Sequence, residues 1–457
     1  MGDLRAWQLD LGRPYALQIA ADARLSTLDF TDDQTWEVVP GSGGSAALAL
    51  QTRYGGRAGL VSLVPMWLID DQVLYQGAAL AEPVKIRAFA PGFVQLYCKL
   101  TPQIGLLAEF WAIESHVASG RFLLRNLTKT PQQARLDLLG FVGIEGREQT
   151  LHVVPLPGER HALSLGKIGS LYPIVMLDNG YQPIEGHGNK ISADVSLKPG
   201  GRAALRFVCA GLPDVRASLN LAQHWLGQDW GAHFKLLSMA AQALPQIETG
   251  SPDLDAAIAF SYMQLVQAFI KPAGQLPQPS FVGARQPDRG YSPRGDGLDH
   301  TRAWSGQDAL TGYLLALAAA PIDHSLAQGI IRNYLSTQQD DGWIDGRPGM
   351  AGQRAGYLCL PILARLTWSV FQYTEDTTFL REAFPRLLLF FDRWQKRDLD
   401  ADGDGAPEWS GSGHLYRLDD RLRSLAPETV ETPALVAYLL SEALSLREMA
   451  YYLREPE

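Results

Sequence analysis

Apolar and polar positions divide this chain into two halves. Up to about residue 210 the apolar runs are short. They fall at Ala46–Leu50, Gly59–Val64, Val94–Leu100, Phe122–Leu127, Leu136–Ile144, Leu151–Leu156 and Ala203–Val208. Glycine and proline separate them, as at Pro40-Gly41-Ser42-Gly43-Gly44, Pro91-Gly92 and Pro199-Gly200-Gly201. Many short strands with few helical windows predict an antiparallel β-sandwich over residues 1–210. After Cys209 the period changes. Val215, Leu219, Ala222 and Leu226 lie at helical spacing and predict a helical linker over 211–235.

From 236 to 457 the pattern is helical. Ser251-Pro252 supplies an N-cap with proline at the first helical position, ahead of Ile258, Tyr262, Leu265, Val266 and Phe269. Further helices are predicted at Ser305–Ala320, Ser325–Thr337, Leu358–Tyr373, Phe379–Arg397 and after Thr432-Pro433. Long connections follow 271, 338 and 397. Long loops alternating with short ones predict helical hairpins stacked around a ring, with functional loops at one end.

A chain of 457 residues calls for more than one domain. With 46% hydrophobic and 19% charged residues it is a folding sequence. A net charge of -9 without a basic cluster argues against nucleic-acid or anionic-membrane partners. No charged leader with an apolar core opens the sequence, and no apolar run approaches the roughly 18 residues of a membrane span. A cytoplasmic location is expected. Cys98, Cys209 and Cys359 lie far apart without metal-ligand spacing, as reduced buried thiols would. Asn126-Leu127-Thr128 matches the glycosylation sequon, but without a secretion signal it reads as coincidence.

The densest chemistry lies between Asp398 and Trp409. Asp400, Asp402 and Asp404 alternate, Gly405 follows, and Glu408 stands four residues past the last aspartate. Such a run repels itself unless a cation sits within it. The three aspartates take loop positions 1, 3 and 5, Gly405 the sharp turn, the Ala406 carbonyl position 7, and Glu408 position 9. Position 12 is Gly411, not the bidentate glutamate of a helix-loop-helix calcium hand. The loop is therefore read as a structural calcium brace. A solvated acidic turn is the plain alternative.

Four segments resemble the six-hairpin glycosidases, the (α/α)6-barrel superfamily of glucoamylases, processing α-glucosidases, trehalases and the glucosidase part of glycogen-debranching enzymes. They are His300-Thr301-Arg302-Ala303-Trp304-Ser305-Gly306-Gln307-Asp308-Ala309, Gln338-Gln339-Asp340-Asp341-Gly342-Trp343-Ile344, Phe371 to Leu380 with Phe384-Pro385-Arg386-Leu387, and the acidic loop with Pro407-Glu408-Trp409. Val430-Glu431-Thr432-Pro433-Ala434-Leu435 is similar to a debranching-enzyme stretch. The resemblance covers roughly residues 205–457. It implies an N-terminal sandwich followed by a partial (α/α)6 toroid, and glycoside hydrolysis of α-glucosides or α-glucans.

Inverting hydrolysis needs a protonated acid and a carboxylate base about 6.5–9.5 Å apart. The resemblance puts the acid at Asp419, with Asp420 nearly as good because the tryptophan expected upstream is missing. It implies substrate contacts for Arg302, Trp304, Asp308, Trp343 and Glu431, and sets Trp409 at the pocket mouth. Each has a structural alternative. Ser305-Gly306-Gln307-Asp308 fits a capping box, Arg302 can pair with Asp299 or Asp308, the tryptophans can be core, and Glu431 can be favourable charge before a helix. Six helices make half of a twelve-helix ring, and the superfamily's late glutamate base has no counterpart. The expectations are a partial gene product, a second chain completing the ring, or an open fold, with weak activity for the isolated chain. An open ring would expose apolar helix faces. The other reading is a calcium-stabilised carbohydrate-binding or scaffold protein with a degenerate site. Low similarity between successive hairpins argues against a repeat protein.

Overall fold

Strand alternation and helical stripes separate into two contact units in the computed structural model. The first comprises Met1–Gln267 with Arg285–Tyr291, the second Ala268–Ala284 with Ser292–Glu457. The structure describes residues 4–454 except 8, 11–16, 145–146, 150, 159, 183–187, 401 and 411–428. For Asp10, Arg147, Glu148, Ser410, Thr429 and Val430 it describes the backbone alone.

The first unit carries seventeen described strands. They are β1 (Leu9–Asp10), β2 (Leu17–Ile19), β3 (Trp36–Pro40), β4 (Leu48–Thr52), β5 (Leu60–Ile69), β6 (Gln72–Leu74), β7 (Glu82–Ala90), β8 (Phe93–Thr101) and β9 (Ile104–Glu114). β10 (Val117–Asn126), β11 (Gln132–Ile144), β12 (Arg147–Glu148), β13 (His152–Pro155), β14 (His161–Ser164), β15 (Ile174–Leu177), β16 (Lys190–Leu197) and β17 (Arg202–Ala210) follow. One antiparallel sheet has nine strands in the order β1-β7-β8-β9-β10-β17-β15-β14-β13. The other has eight: β12-β11-β5-β4-β3-β2, with β16 on β11 and β6 on β5.

Their inner faces share one core. Phe122 stacks on Phe207 at 5.5 Å and meets Trp67 edge-on at 5.7 Å. Such pairs add roughly 0.5–1.5 kcal/mol each beyond their burial. The Phe207 ring fills the space over Gly120, where a Cβ would stand 2.2 Å from it. Two long strands escape the sequence pattern for a physical reason. β9 is apolar on both faces: Leu106, Ala108 and Phe110 enter the inter-sheet core, while Trp111 and Ile113 pack with Ala222, Trp230 and Leu237 of the covering helices. A strand buried on both sides loses its alternation. β7 loses it at a register shift between Ile86 and Ala88.

Helices α1 (Val215–Gly227), α2 (Trp230–Gln242) and α3 (Pro252–Gln267) also belong to the first unit. That unit thus runs beyond the 210 and 235 boundaries read from the sequence. Asp214 and Asp229 cap α1 and α2 by accepting from Ala217 N and Gly231 N, each at 2.8 Å. Arg285 draws the returning segment in. Its Nε and Nη2 reach Asp33 at 2.8 and 2.9 Å, and its Nη1 reaches the Ala21 and Gln267 carbonyls. Both side chains are almost fully buried.

The second unit contains α4 (Ala309–Ala319), α5 (His324–Ser336), α6 (Leu363–Thr374), α7 (Thr377–Trp394) and α8 (Pro433–Leu453). Two short ladders join them, β18 (Phe269–Ile270) with β19 (Ser280–Phe281) and β20 (Trp409–Ser410) with β21 (Thr429–Val430). Short links make hairpins of α4/α5 and α6/α7, and α6 packs on α4, α5, α7 and α8. The fold class holds: an antiparallel sandwich followed by a partial toroid of helical hairpins. α6 starts at Leu363, later than Leu358, because Pro361 lacks an N–H and biases its predecessor toward extended backbone. No helix among the described residues is long and apolar enough to cross a membrane.

Asp33→Ala strands a buried guanidinium and should cost about 3–5 kcal/mol. Urea unfolding checks this through a lower midpoint. The Asp33→Ala, Arg285→Leu double variant should be less destabilised than the single one.

Candidate functional site

α7 ends at Trp394, and the acidic loop starts from it. Buried Arg393 holds Asp398 with bonds of 2.8 and 2.6 Å, which keeps the Asp398 carboxyl below its usual range. Glu408 N donates to the Leu399 carbonyl at 2.6 Å and closes the loop. Inside it, Asp400 accepts from Gly403 N and Gly405 N at 2.9 and 3.1 Å, and Asp404 accepts from Ala406 N at 2.7 Å. Gly403 and Gly405 have φ of 78° and 92°, a region that favours glycine.

Carboxylate oxygens of Asp400, Asp402 and Asp404 lie within 4.8 Å of one another. So do those of Asp402, Glu408 and Glu431. Glu408 is buried, Ala406 is half-buried, and Asp402, Asp404 and Glu431 are exposed. The Asp404 charge, then desolvation, then Asp402, Glu408 and Asp400 raise the Glu431 carboxyl above its ordinary value. The sequence separated Glu431 from this loop as a sugar contact. The fold brings it to the acidic cluster.

The β20–β21 ladder delivers it. Trp409 pairs with Val430 and Ser410 with Thr429. The Trp409 indole donates to Thr432 Oγ1 at 2.7 Å, and Thr432 caps α8 through Leu435 N. The flanks of residues 411–428 therefore stand side by side. Asp419 and Asp420 lie outside the described residues.

None of the described pockets is lined by the remaining candidates. Trp304 is 1% exposed and its indole donates to the Ala284 carbonyl at 2.7 Å. Trp409 is fully buried against Trp394, with ring centroids 5.8 Å apart. Neither ring offers a face to a sugar, which corrects the substrate contact expected of Trp304 and the pocket-mouth place expected of Trp409. Asp308 is the N-cap of α4 and accepts from Thr311 N at 3.0 Å. The cap is thus Asp308 itself, not Ser305, and α4 begins after it. Trp343 is half-buried with the Arg393 guanidinium 5.4 Å above its ring. Arg302 is exposed, and its carbonyl accepts from Arg347. Its charge lies near Arg347, whose proton affinity burial lowers first and Arg302 lowers further.

Two buried acids went unread in the sequence. Asp345 accepts from Arg347 N, Ala355 N and Gly356 N, each at 2.8 Å, and so shapes the loop after Trp343. Glu442 accepts from Ala364 N and Arg365 N at 2.9 and 2.8 Å and caps α6, which has no cap of its own. The signal for Glu442 was present: it shares the buried stripe of Leu435, Leu439, Leu446 and Met449.

No protein-family model and no curated protein matches the chain. Solved structures resemble it in fold. A bacterial glucoamylase complexed with acarbose aligns with 99% of this chain and 67% of its own, at 10% identity and a TM-score of 0.48. A provisionally assigned kojibiose phosphorylase from the human microbiome aligns with 91% of this chain and 64% of its own, at 10% identity and a TM-score of 0.43. A family GH92 α-mannosidase from Bacteroides thetaiotaomicron aligns with 82% and 55%, at 9% identity and a TM-score of 0.31. The chain spans less than two thirds of the phosphorylase. At these identities and TM-scores no function passes from them to this chain.

Burial lifts the Glu442 carboxyl from 4.5 to about 7, against the pull of the α6 backbone N–H groups. Its protonated form is favoured in the fold, so unfolding releases a proton between those values. The stability it contributes is full below about pH 4.5 and is lost as pH rises through about 7, on the order of 3 kcal/mol. Glu442→Gln should flatten that part of the melting-temperature profile between acid and neutral pH.

Proposed function

We propose that the protein is a carbohydrate-active enzyme of glycoside hydrolase type, acting on α-glucosides or α-glucans by inverting acid–base hydrolysis. Asp419 or Asp420 is the acid in this reading. One observation carries it. The ladder of Trp409–Ser410 with Thr429–Val430 and the tryptophan–threonine bond beside it join the residues that flank the segment bearing these two aspartates. A general acid must be held at a defined distance from its base, and joined flanks support that reading. Arg302 and Trp343, which are not buried, are the sugar contacts that remain open.

The brace itself is proposed to be a calcium site. An all-oxygen set of carboxylates suits a hard divalent cation. Asp400, Asp402, Asp404, the Ala406 carbonyl and Glu408 are the ligands of the loop, and Glu431 joins them across the ladder. A bound cation would relieve the mutual repulsion that raises the Glu431 carboxyl. Its role is structural: it joins the end of α7 to the start of α8.

Trp304 favours the second reading, a carbohydrate-binding or scaffold protein, because its indole is buried and committed to structure. The acid variants separate the two. Asp419→Asn or Asp420→Asn should cut hydrolysis of an α-glucoside by about a hundredfold or more with unchanged melting. Hydrolysis unaffected by either substitution sinks the enzyme reading. For the metal, a chelator should lower the melting temperature and calcium should restore it, worth about 2.7 kcal/mol at a hundredfold excess over Kd. The response should vanish in Glu408→Gln, and a melting temperature indifferent to chelator excludes the site.

A further inference from the structure

On the outer face of the nine-stranded sheet, strand register lines up a polar row. Gln95 of β8 stands opposite Glu109 of β9, and Glu109 opposite Arg121 of β10. Glu109 is 1% exposed and is satisfied at both oxygens. Gln95 Nε2 donates to one at 2.9 Å and Arg121 Nε to the other at 2.6 Å. The Arg121 guanidinium also lies over Trp230 of α2, 5.2 Å from the ring centroid. With Arg87 and Phe234 these groups line a cavity of about 370 Å³, inside the roughly 300–1,000 Å³ range of small-molecule sites.

Arg87 stands at a fault in the ladder. Ile86 pairs with Leu96 and Ala88 with Gln95, so Arg87 is the extra residue of a β-bulge. Regular alternation would send Arg87 and Ala88 to opposite faces. The bulge turns both to the cavity, a long cation beside the smallest side chain that leaves it room. Arg87 is half-buried, and its guanidinium has neither an ion pair nor a hydrogen bond among the described residues. Among the described residues the lining holds two guanidiniums and one carboxylate. A planar fork of donors facing a cavity matches a carboxylate or phosphate.

We propose that this cavity binds a small hydroxylated anion, an acidic or phosphorylated monosaccharide, with its charge on Arg87. Gln95 Oε1 and the spare lone pairs of Glu109 accept from the sugar hydroxyls. Trp230 and Phe234 pack against its C–H groups. The site belongs to the sandwich unit alone and is independent of the chemistry proposed for the helical unit.

Calorimetric titration of the whole chain tests this with three probes: glucuronate, glucose-6-phosphate and neutral glucose. At least one anion should bind saturably and more tightly than glucose, and the tighter anion identifies the charged group. Arg87→Gln should weaken that binding about tenfold to a hundredfold, while Arg87→Lys retains part of it. Melting of each variant verifies the fold; should Arg87→Gln unfold, Gln95→Leu is read in the same way. The proposal fails if neither anion binds, if glucose binds as tightly as the anions, or if a folded Arg87→Gln binds unchanged.

Discussion

A carboxylate removed from water must find donors or opposite charge, and this chain uses that requirement to join segments far apart in sequence. Asp33 takes the Arg285 guanidinium and with it a segment 252 residues away. Glu442 of the last helix takes the unsatisfied N–H groups at the start of α6, 78 residues earlier. Asp345 gathers three backbone N–H groups and shapes its own loop. Glu109 is held between Gln95 and Arg121 on neighbouring strands. Hydrophobic burial builds the sheets and helices, but it is non-directional. These acids supply direction.

This division of labour explains what the sequence disclosed. Apolar periodicity revealed the sandwich, the helical hairpins and seven of the seventeen described strands, because those follow from alternation and helical stripes. It missed β9, whose two faces are both covered, and β7, whose alternation breaks at Arg87. The long-range acids carry no periodic signature. Asp33 and Asp345 look like any loop aspartate, and only Glu442, an acid on a buried stripe, interrupts its own pattern. The sandwich unit outran its expected boundary because α1, α2 and α3 pattern as ordinary amphipathic helices. Contacts, not periodicity, assign them to the sandwich.

The candidate site shows the same limit. The acidic loop was legible because its aspartates, glycines and Glu408 are local and their geometry is set by nearest neighbours. Trp304 and Trp409 were misread because a tryptophan in a loop has one appearance whether its face is open or buried. Their indole N–H groups decide the matter, since each is spent on a nearby oxygen inside the protein. Asp308 resolves in part: one of its carboxylate oxygens, Oδ1, already accepts from the first turn of α4.

Glu431 is the residue whose role the fold changes most. As a sugar contact it needs a ligand that donates hydrogen bonds to a carboxylate. Its environment asks for something else. Four other acids act on it, with Asp404 first, and together they make it hold its proton more tightly. A proton or a cation relieves that repulsion; a neutral hydroxyl brings no net charge and relieves little of it. The exposure of Glu431 screens the effect, yet Asp402 and buried Glu408 have carboxylate oxygens within 4.8 Å of its own. The same residue cannot serve both purposes at full strength. Charge at Glu431 thus favours a cation over a sugar, in line with the proposed brace.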